Sequence, residues 1–264
     1  MEKIKVAVRG AAGKVGQEVV KAVCAEAGME LVGCVDERVT RDFLDLPDGS
    51  GMVPFSGDLE KIINECQPDV IVDFTLAPAV MPAVRTATEK GVNLVIGTTG
   101  LSQNDLNEID QLAVGFKVGV VVAPNFALGA VLMMHLARVA AKYMDHAEII
   151  ELHHDKKADA PSGTALSTAK SMVQSRGKPF LQPADKGETP PSRGQQVDGV
   201  SLHSIRLPGL LAHQEVLLGA PGQTLSIRHD TISRECFMPG VILAIKEVVN
   251  RKGLTFGLDT LLGL

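Results

Sequence analysis

The sequence predicts an α/β protein, with a doubly wound parallel sheet followed by a smaller α+β domain. Three observations predict it. The first half alternates short apolar, β-branched runs with amphipathic helical stretches, the pattern of successive βαβ units. Those runs lack polar alternation, so their strands are buried on both faces. Beyond Asn125 the pattern changes to a long helix and then short strands whose connections are too brief for crossover helices.

The elements follow in order. Ile4–Arg9 is a continuous β-branched strand. Lys14–Ala27 places Val15, Val19, Val20 and Val23 on one stripe, which is helical spacing. Glu30–Val35 is a second strand, ending at Asp36. Asp58–Cys66 reads as helix, Asp69–Phe74 as strand and Ala79–Lys90 as helix, and Val92–Ile96 and Val118–Val122 are two more strands. The second half offers a helix over Leu128–Met144, a strand over Ala147–His153, a polar loop, and a helix from Ser162 to about Arg176. Lys178–Gly199 is rich in Pro, Gly and charge and reads as a long surface loop. Val200–Arg206, Gln214–Leu218 and Thr224–His229 are short strands expected to pair antiparallel, and Pro239–Asn250 is helical.

Composition narrows the function. Net charge is −5 with no Lys/Arg cluster, and there is no Trp and only one Tyr, so neither a basic face nor a stacking surface for nucleic acid is expected. No apolar stretch reaches membrane-spanning length, and no leader-like segment precedes the first strand. Cys24, Cys34, Cys66 and Cys236 form no C-x-x-C pair, and two of them sit inside apolar runs. They read as reduced thiols, and a cytoplasmic location without membrane partners is expected.

The first strand ends in Gly10-Ala11-Ala12-Gly13-Lys14-Val15-Gly16 and opens a helix. In that position Gly10 and Gly13 let the backbone turn and approach a pyrophosphate, and Gly16 permits close helix–sheet packing. The helix start supplies free N–H groups and a partial positive charge. Asp36 lies about 20 residues past the last glycine, where an acid accepts hydrogen bonds from an adenosine ribose. These features give a Rossmann-type nucleotide domain. Arg38, Lys14 or Arg9 could meet a 2′-phosphate, whereas the adjacent acids Asp36 and Glu37 would repel one. NADH and NADPH both remain open. Three more segments fall at expected strand ends: Asp73-Phe74-Thr75, Gly97-Thr98-Thr99-Gly100 and Ala123-Pro124-Asn125-Phe126. The small residues of the second suit a nicotinamide ribose, and Asn125 suits the nicotinamide amide.

The stretch Glu151-Leu152-His153-His154-Asp155-Lys156-Lys157-Ala158-Asp159-Ala160-Pro161-Ser162-Gly163-Thr164-Ala165 runs from a strand through a loop into a helix. Neighbouring strand residues face opposite ways, so His153 and His154 are not expected to hold one metal, and no metal site is assigned. Ser162 is a good N-cap. Gly163 and Thr164 enter the first turn, which exposes N–H groups and a hydroxyl to an anion, with Lys157 nearby. A carboxylate ligand fits this arrangement.

That stretch, with the Gly-rich turn, D-F-T, G-T-T-G, A-x-N-F and R-x-x-F-x-x-G at Arg234–Gly240, resembles the 4-hydroxy-tetrahydrodipicolinate reductase family over essentially the whole chain. The resemblance implies that His153 is the proton donor/acceptor and Lys157 a second proton donor. His154, Gly163 and Thr164 would contact the substrate. Gly10, Ala11, Ala12, Gly13, Lys14, Val15, Asp36, Arg38, Gly97, Thr98, Thr99, Ala123, Pro124, Asn125 and Phe126 would contact NADH or NADPH. Val15 stands where the family usually has Met, and Ala127 where it often has Ser. Arg38 lies one place beyond the usual arginine after the ribose acid.

The resemblance also implies a topology. Residues 1–125 with 236–264 would form the dinucleotide-binding domain, and residues 126–235 a domain for binding a small dicarboxylate and for assembly into a homotetramer. The two domains would close on the ternary complex. A different dehydrogenase and a non-enzymatic nucleotide sensor are the rival classes. A thioester-forming semialdehyde dehydrogenase would need a Cys in a site motif, and a sensor would be expected to lack the His/Lys loop.

Overall fold

The computed structural model describes residues 2–182 and 191–264. The chain divides into a unit joining Met1–Leu128 to Arg234–Leu264 and a unit formed by Gly129–Ser233.

The first unit opens with Ile4–Arg9 (β1), Lys14–Ala25 (α1) and Met29–Val35 (β2). Two short strands follow, Phe43–Asp45 (β3) and Met52–Ser56 (β4). Helix and strand then alternate through Leu59–Cys66 (α2), Val70–Asp73 (β5), Ala77–Glu89 (α3), Asn93–Ile96 (β6), Gln103–Phe116 (α4) and Gly119–Val122 (β7). Periodicity assigns neither β3, β4 nor α4. Helix α4 is marked instead by a capping box at its start: Ser102 accepts from the Asp105 N–H, and the Asp105 carboxylate accepts from the Ser102 N–H.

With Gly253–Phe256 (β13) added, the strands form one sheet in the order β13-β7-β6-β5-β1-β2-β4-β3. Every pairing is parallel except that of β3 with β4. All four residues of β5 and of β7 are buried, because helices cover both faces. Ile62, Ile71, Leu94, Ile96 and Ile109 are inaccessible to solvent, and each such side chain contributes about 1.5–3 kcal/mol of burial. Register aligns the strand ends, since Arg9 pairs with both Val35 and Asp73, Asp73 with Ile96, and Ile96 with Val122. The loops that follow these residues therefore share one edge. Strand order reverses at β1, the position where open α/β sheets bind ligands.

The second unit contains Leu128–Ala140 (α5), His146–His153 (β8), Gly163–Arg176 (α6), Gln195–Val197 (β9), Val200–Arg206 (β10), Ala212–Ala220 (β11) and Gln223–Thr231 (β12). Its sheet runs β12-β11-β8-β10-β9. The antiparallel expectation holds for β11 with β12, but β10 lies parallel to β8. The reason is that β10 pairs with β8 rather than with its sequence neighbour β11, and α6 supplies the crossover.

The expected surface loop over Lys178–Gly199 also needs correction. Phe180 is buried, and β9 pairs with β10 through a hairpin whose two turn residues, Asp198 and Gly199, have φ of 46° and 87°. Residues 183–190 of that stretch lie outside the described residues.

Met238–Val248 (α7), Gly253–Phe256 (β13) and Leu258–Leu262 (α8) belong to the first unit, with β13 paired parallel to β7. Among the described residues no helix is long and apolar enough to cross a membrane.

Candidate active site

In the first unit a cleft of about 770 Å³ opens at the aligned strand ends. Gly10, Gly13, Asp36, Arg38, Phe74 and Thr75 are among the residues that line it. Gly10 has φ of +82°, and a Cβ there would come within 2.5 Å of the Phe74 carbonyl oxygen. Only glycine permits the turn. Helix α1 starts at Gly13 with no side-chain cap and no acid in its first turn, so its leading N–H groups are available to an anion. Ala11 is buried under the loop, and Lys14 and Val15 form the first turn.

Asp36 ends β2 and organises the far side of the cleft. Its carboxylate accepts from the Ala12 N–H at 2.9 Å, from the Arg38 N–H at 2.9 Å and from Arg38 Nε at 3.2 Å. Burial would raise this carboxyl, but the hydrogen bonds from Arg38 and Ala12 outweigh it and hold the group below its usual range. A nucleotide fits this donor and acceptor set, with a glycine-lined approach, an uncapped helix start, a buried acid and an exposed arginine beside it.

Of the next strand ends, Phe74 and Thr75 line the cleft, and the residues around them hold those two in place. Asp73 accepts from Arg9 at 2.5 Å, from the Thr75 hydroxyl at 2.7 Å and from the Thr98 hydroxyl at 2.9 Å. Thr98 in turn accepts from the Thr75 N–H at 2.8 Å. A Cβ on Gly97 would lie 2.1 Å from the Phe74 ring, so that glycine makes room for the aromatic side chain. Phe74 and Phe126 stack with centroids 5.7 Å apart. Asn125 accepts from the Ala127 N–H at 2.9 Å, which tightens the turn after Ala123 and Pro124. Thr99 follows Thr98 on the same edge. Arg9 and Arg38 both line the cleft, Arg9 paired with Asp73 and Arg38 with Asp36.

In the second unit, Ala147, Ile149 and Glu151 alternate toward the core face of β8. Glu151 is inaccessible to solvent. It accepts from His153 Nδ1 at 2.5 Å, from both terminal nitrogens of Arg206 at 2.9 and 2.8 Å, and from the Ser162 N–H at 3.2 Å. Burial would raise its carboxyl, but the hydrogen bonds from His153, Arg206 and Ser204 prevail and bring it to about 2. Ser162 caps α6, its hydroxyl accepting from the Ala165 N–H at 3.2 Å. Gly163 and Thr164 then form the first turn, which carries no acid.

Lys157 Nζ donates to Asp159 at 2.8 and 2.9 Å, and Arg206 also donates to the Asp159 carbonyl at 2.6 Å. His153 and Lys157 thus stand on one frame, linked through Glu151, Arg206 and Asp159, while His154 is exposed. Sequence reasoning assigns no role to Glu151, Asp159 or Arg206. A signal for Glu151 exists, because a carboxylate two residues past Ile149 falls on the buried face of an alternating strand. Among the described residues no group of three His, Cys, Asp or Glu is placed to hold a metal ion.

Comparison with known proteins covers both parts of the chain. The family model described as dihydrodipicolinate reductase, N-terminus, matches residues 4–126, and the one described as dihydrodipicolinate reductase, C-terminus, matches residues 129–262. The chain belongs to the dihydrodipicolinate reductase family. A 4-hydroxy-tetrahydrodipicolinate reductase of Dehalococcoides mccartyi is 58% identical over 264 residues, covering 100% of both chains. One from Moorella thermoacetica is 47% identical over 263 residues, covering 98% of each. The solved structure of a dipicolinate-bound dihydrodipicolinate reductase from Paenisporosarcina sp. TG-14 superposes with a TM-score of 0.87 at 42% identity, covering 98% of this chain and 99% of that one. Like these relatives, this member of the reductase family is an oxidoreductase of lysine and diaminopimelate biosynthesis.

Proposed function

We propose that the chain reduces 4-hydroxy-tetrahydrodipicolinate, through its dehydrated form, to tetrahydrodipicolinate on the diaminopimelate route to L-lysine, using NADH or NADPH. The observation that carries this reading is the frame joining an imidazole, an ammonium and an acid-free helix start within the segment 153–164. Dipicolinate is the ligand named for the Paenisporosarcina relative, and it is a planar dicarboxylate of the same ring size as the substrate.

When bound, the reduced nicotinamide supplies a hydride to C4 of the conjugated imine. The residues of this chain do the rest. The turn at Gly163-Thr164, with His154, holds a substrate carboxylate through N–H groups, a hydroxyl and the positive end of α6. Charge develops toward the ring nitrogen, where Lys157 and His153 stabilise it and deliver the proton. Gly10–Val15 take the pyrophosphate, Asp36 the adenosine ribose and Arg38 a 2′-phosphate where present. Gly97–Thr99 and Ala123–Phe126 take the nicotinamide end.

The first unit is thus the dinucleotide-binding domain, and the second the domain for substrate binding and assembly. The second unit's sheet leaves Ile205 and Leu225 exposed, which favours a homotetramer formed through it. Among the described residues the four cysteines form no disulfide, which favours the cytoplasm, where thiols stay reduced. Neither nucleic acid nor a membrane is assigned as a partner.

The test is a steady-state assay of freshly generated substrate with each nucleotide. Substrate-dependent oxidation of at least one is expected, and oxidation of neither would remove the reading.

A further inference from the structure

We propose that Glu151 is a positioning residue of the reaction: it fixes the His153 ring through Nδ1, so that Nε2 is the nitrogen that exchanges the substrate proton, and it locks the start of α6 in the same frame. The proposal rests on the assignment of His153 as the proton-exchanging group.

Strand alternation puts Glu151 on the core face of β8, where a carboxylate persists only when its oxygens are fully paired. Its donors include His153 Nδ1, two nitrogens of Arg206 and the Ser162 N–H. Arg206 balances its charge, and the group stays ionised at neutral pH. An ionised carboxylate can only accept, so the 2.5 Å contact requires a proton on Nδ1. In the neutral imidazole the lone pair then belongs to Nε2, and in the cation Nε2–H is the proton free to leave.

The other bonds give this carboxylate a wider reach. Ser162 is the N-cap of the helix whose first turn is assigned to a substrate carboxylate, so one side chain sets both the acid and the anion-binding turn. Arg206 passes the constraint to the Asp159 carbonyl, and Asp159 holds Lys157. A carboxylate that merely neutralised Arg206 would need none of these additional donors.

Two measurements test the proposal. The first uses the unaltered protein: ¹⁵N resonances of the His153 ring, assigned by their loss in His153→Ala, report the tautomer of the neutral form. The Nδ1–H tautomer is expected, and the Nε2–H tautomer overturns the proposal whether or not any Glu151 variant folds. The second is a kinetic cycle. His153→Ala should lower kcat roughly 10²–10⁴-fold. Glu151→Gln should lower it about ten- to a hundredfold while leaving nucleotide Kd unchanged. In the His153→Ala background Glu151→Gln should cost distinctly less than it does alone, the remainder being what passes through Lys157 and the α6 start. Losses that multiply in the double variant, or a Glu151→Gln enzyme as fast as wild type, overturn the positioning role and leave the histidine assignment standing. An unaffected His153→Ala removes the histidine assignment and the proposal together.

Discussion

Asp36 and Arg38 face the same cleft with opposite charges, and their contacts make nucleotide choice a matter of which one the ribose meets. The Asp36 carboxylate is shared between Ala12 and Arg38, and a ribose hydroxyl would add a further donor. Replacing Asp36 by Ala removes that acceptor and frees the Arg38 fork for a phosphate. Asp36→Ala should therefore weaken NADH more than NADPH in calorimetric titrations, and equal losses would place the ribose contact elsewhere. Lys157 poses a different question at the same scale. Its ammonium is steadied by an exposed partner, Asp159, and not by the core. Lys157→Ala should accordingly keep its Tm within a few degrees of wild type and lose roughly 10²–10⁴-fold in kcat, checked by thermal melts beside rate assays. The spacing of Asp36 from Gly16, and the passage of His153 and Lys157 from strand to loop, were readable from the chain alone. The pairing of Asp36 with Arg38, and the contact from Arg206 to Glu151, were not. The first depends on side-chain conformation, and the second joins residues 55 apart through a strand pairing that local pattern does not encode.

Among the elements, those read most faithfully are the ones with a strong apolar period, such as β1, α1, β6 and α7. The misreadings share a cause. Helix α4 has only Ile109 and Ala113 buried, so its stripe is thin, and its signature is the Ser102–Asp105 cap and not its hydropathy. Strand β9 was hidden in a polar stretch, although Asp198-Gly199 is the dipeptide that two-residue hairpins demand. The parallel β8–β10 pairing was missed because its helix, α6, lies between partners distant in sequence. The hairpin supports a comparison. Gly177 and Gly199 both have positive φ, but a Cβ at Gly177 meets no atom within 4 Å, whereas at Gly199 it would sit 2.1 Å from the Phe180 carbonyl oxygen. Gly177→Ala should cost about 1–2 kcal/mol for the left-handed backbone alone. Gly199→Ala should cost more, because the Phe180 backbone must also move. Urea unfolding midpoints measure both, and equal losses would show that the Phe180 segment yields freely.

At the scale of the whole molecule, buried charge sets the response to acid. The Glu151 carboxyl sits at about 2 in the folded chain, against 4.5 for an ordinary glutamate. A lowered folded value means that its stabilisation is complete above about 4.5 and fades as the pH falls toward 2, by on the order of 3 kcal/mol in all. Unfolding midpoints followed from pH 6 downward should show this loss in the wild type and a shallower decline in Glu151→Gln. Parallel slopes would place the acid sensitivity in other carboxylates. In the sequence the only local mark of two units is that βαβ alternation stops near Asn125, and the return of the chain to the first unit is implied by family resemblance and not by any local signal. That return governs the order in which the protein can assemble during synthesis. Strand β13 and helix α7 emerge after the whole of the second unit, yet β13 forms an edge of the first sheet, and α7 contributes buried Val241, Ala244, Ile245 and Val248 to that unit. The second unit is a single uninterrupted segment, so all of its strands have emerged while the first unit still waits for its final strand. The unit interrupted by the other is thus the one that finishes folding later, with the edge of β7 unpaired until β13 arrives.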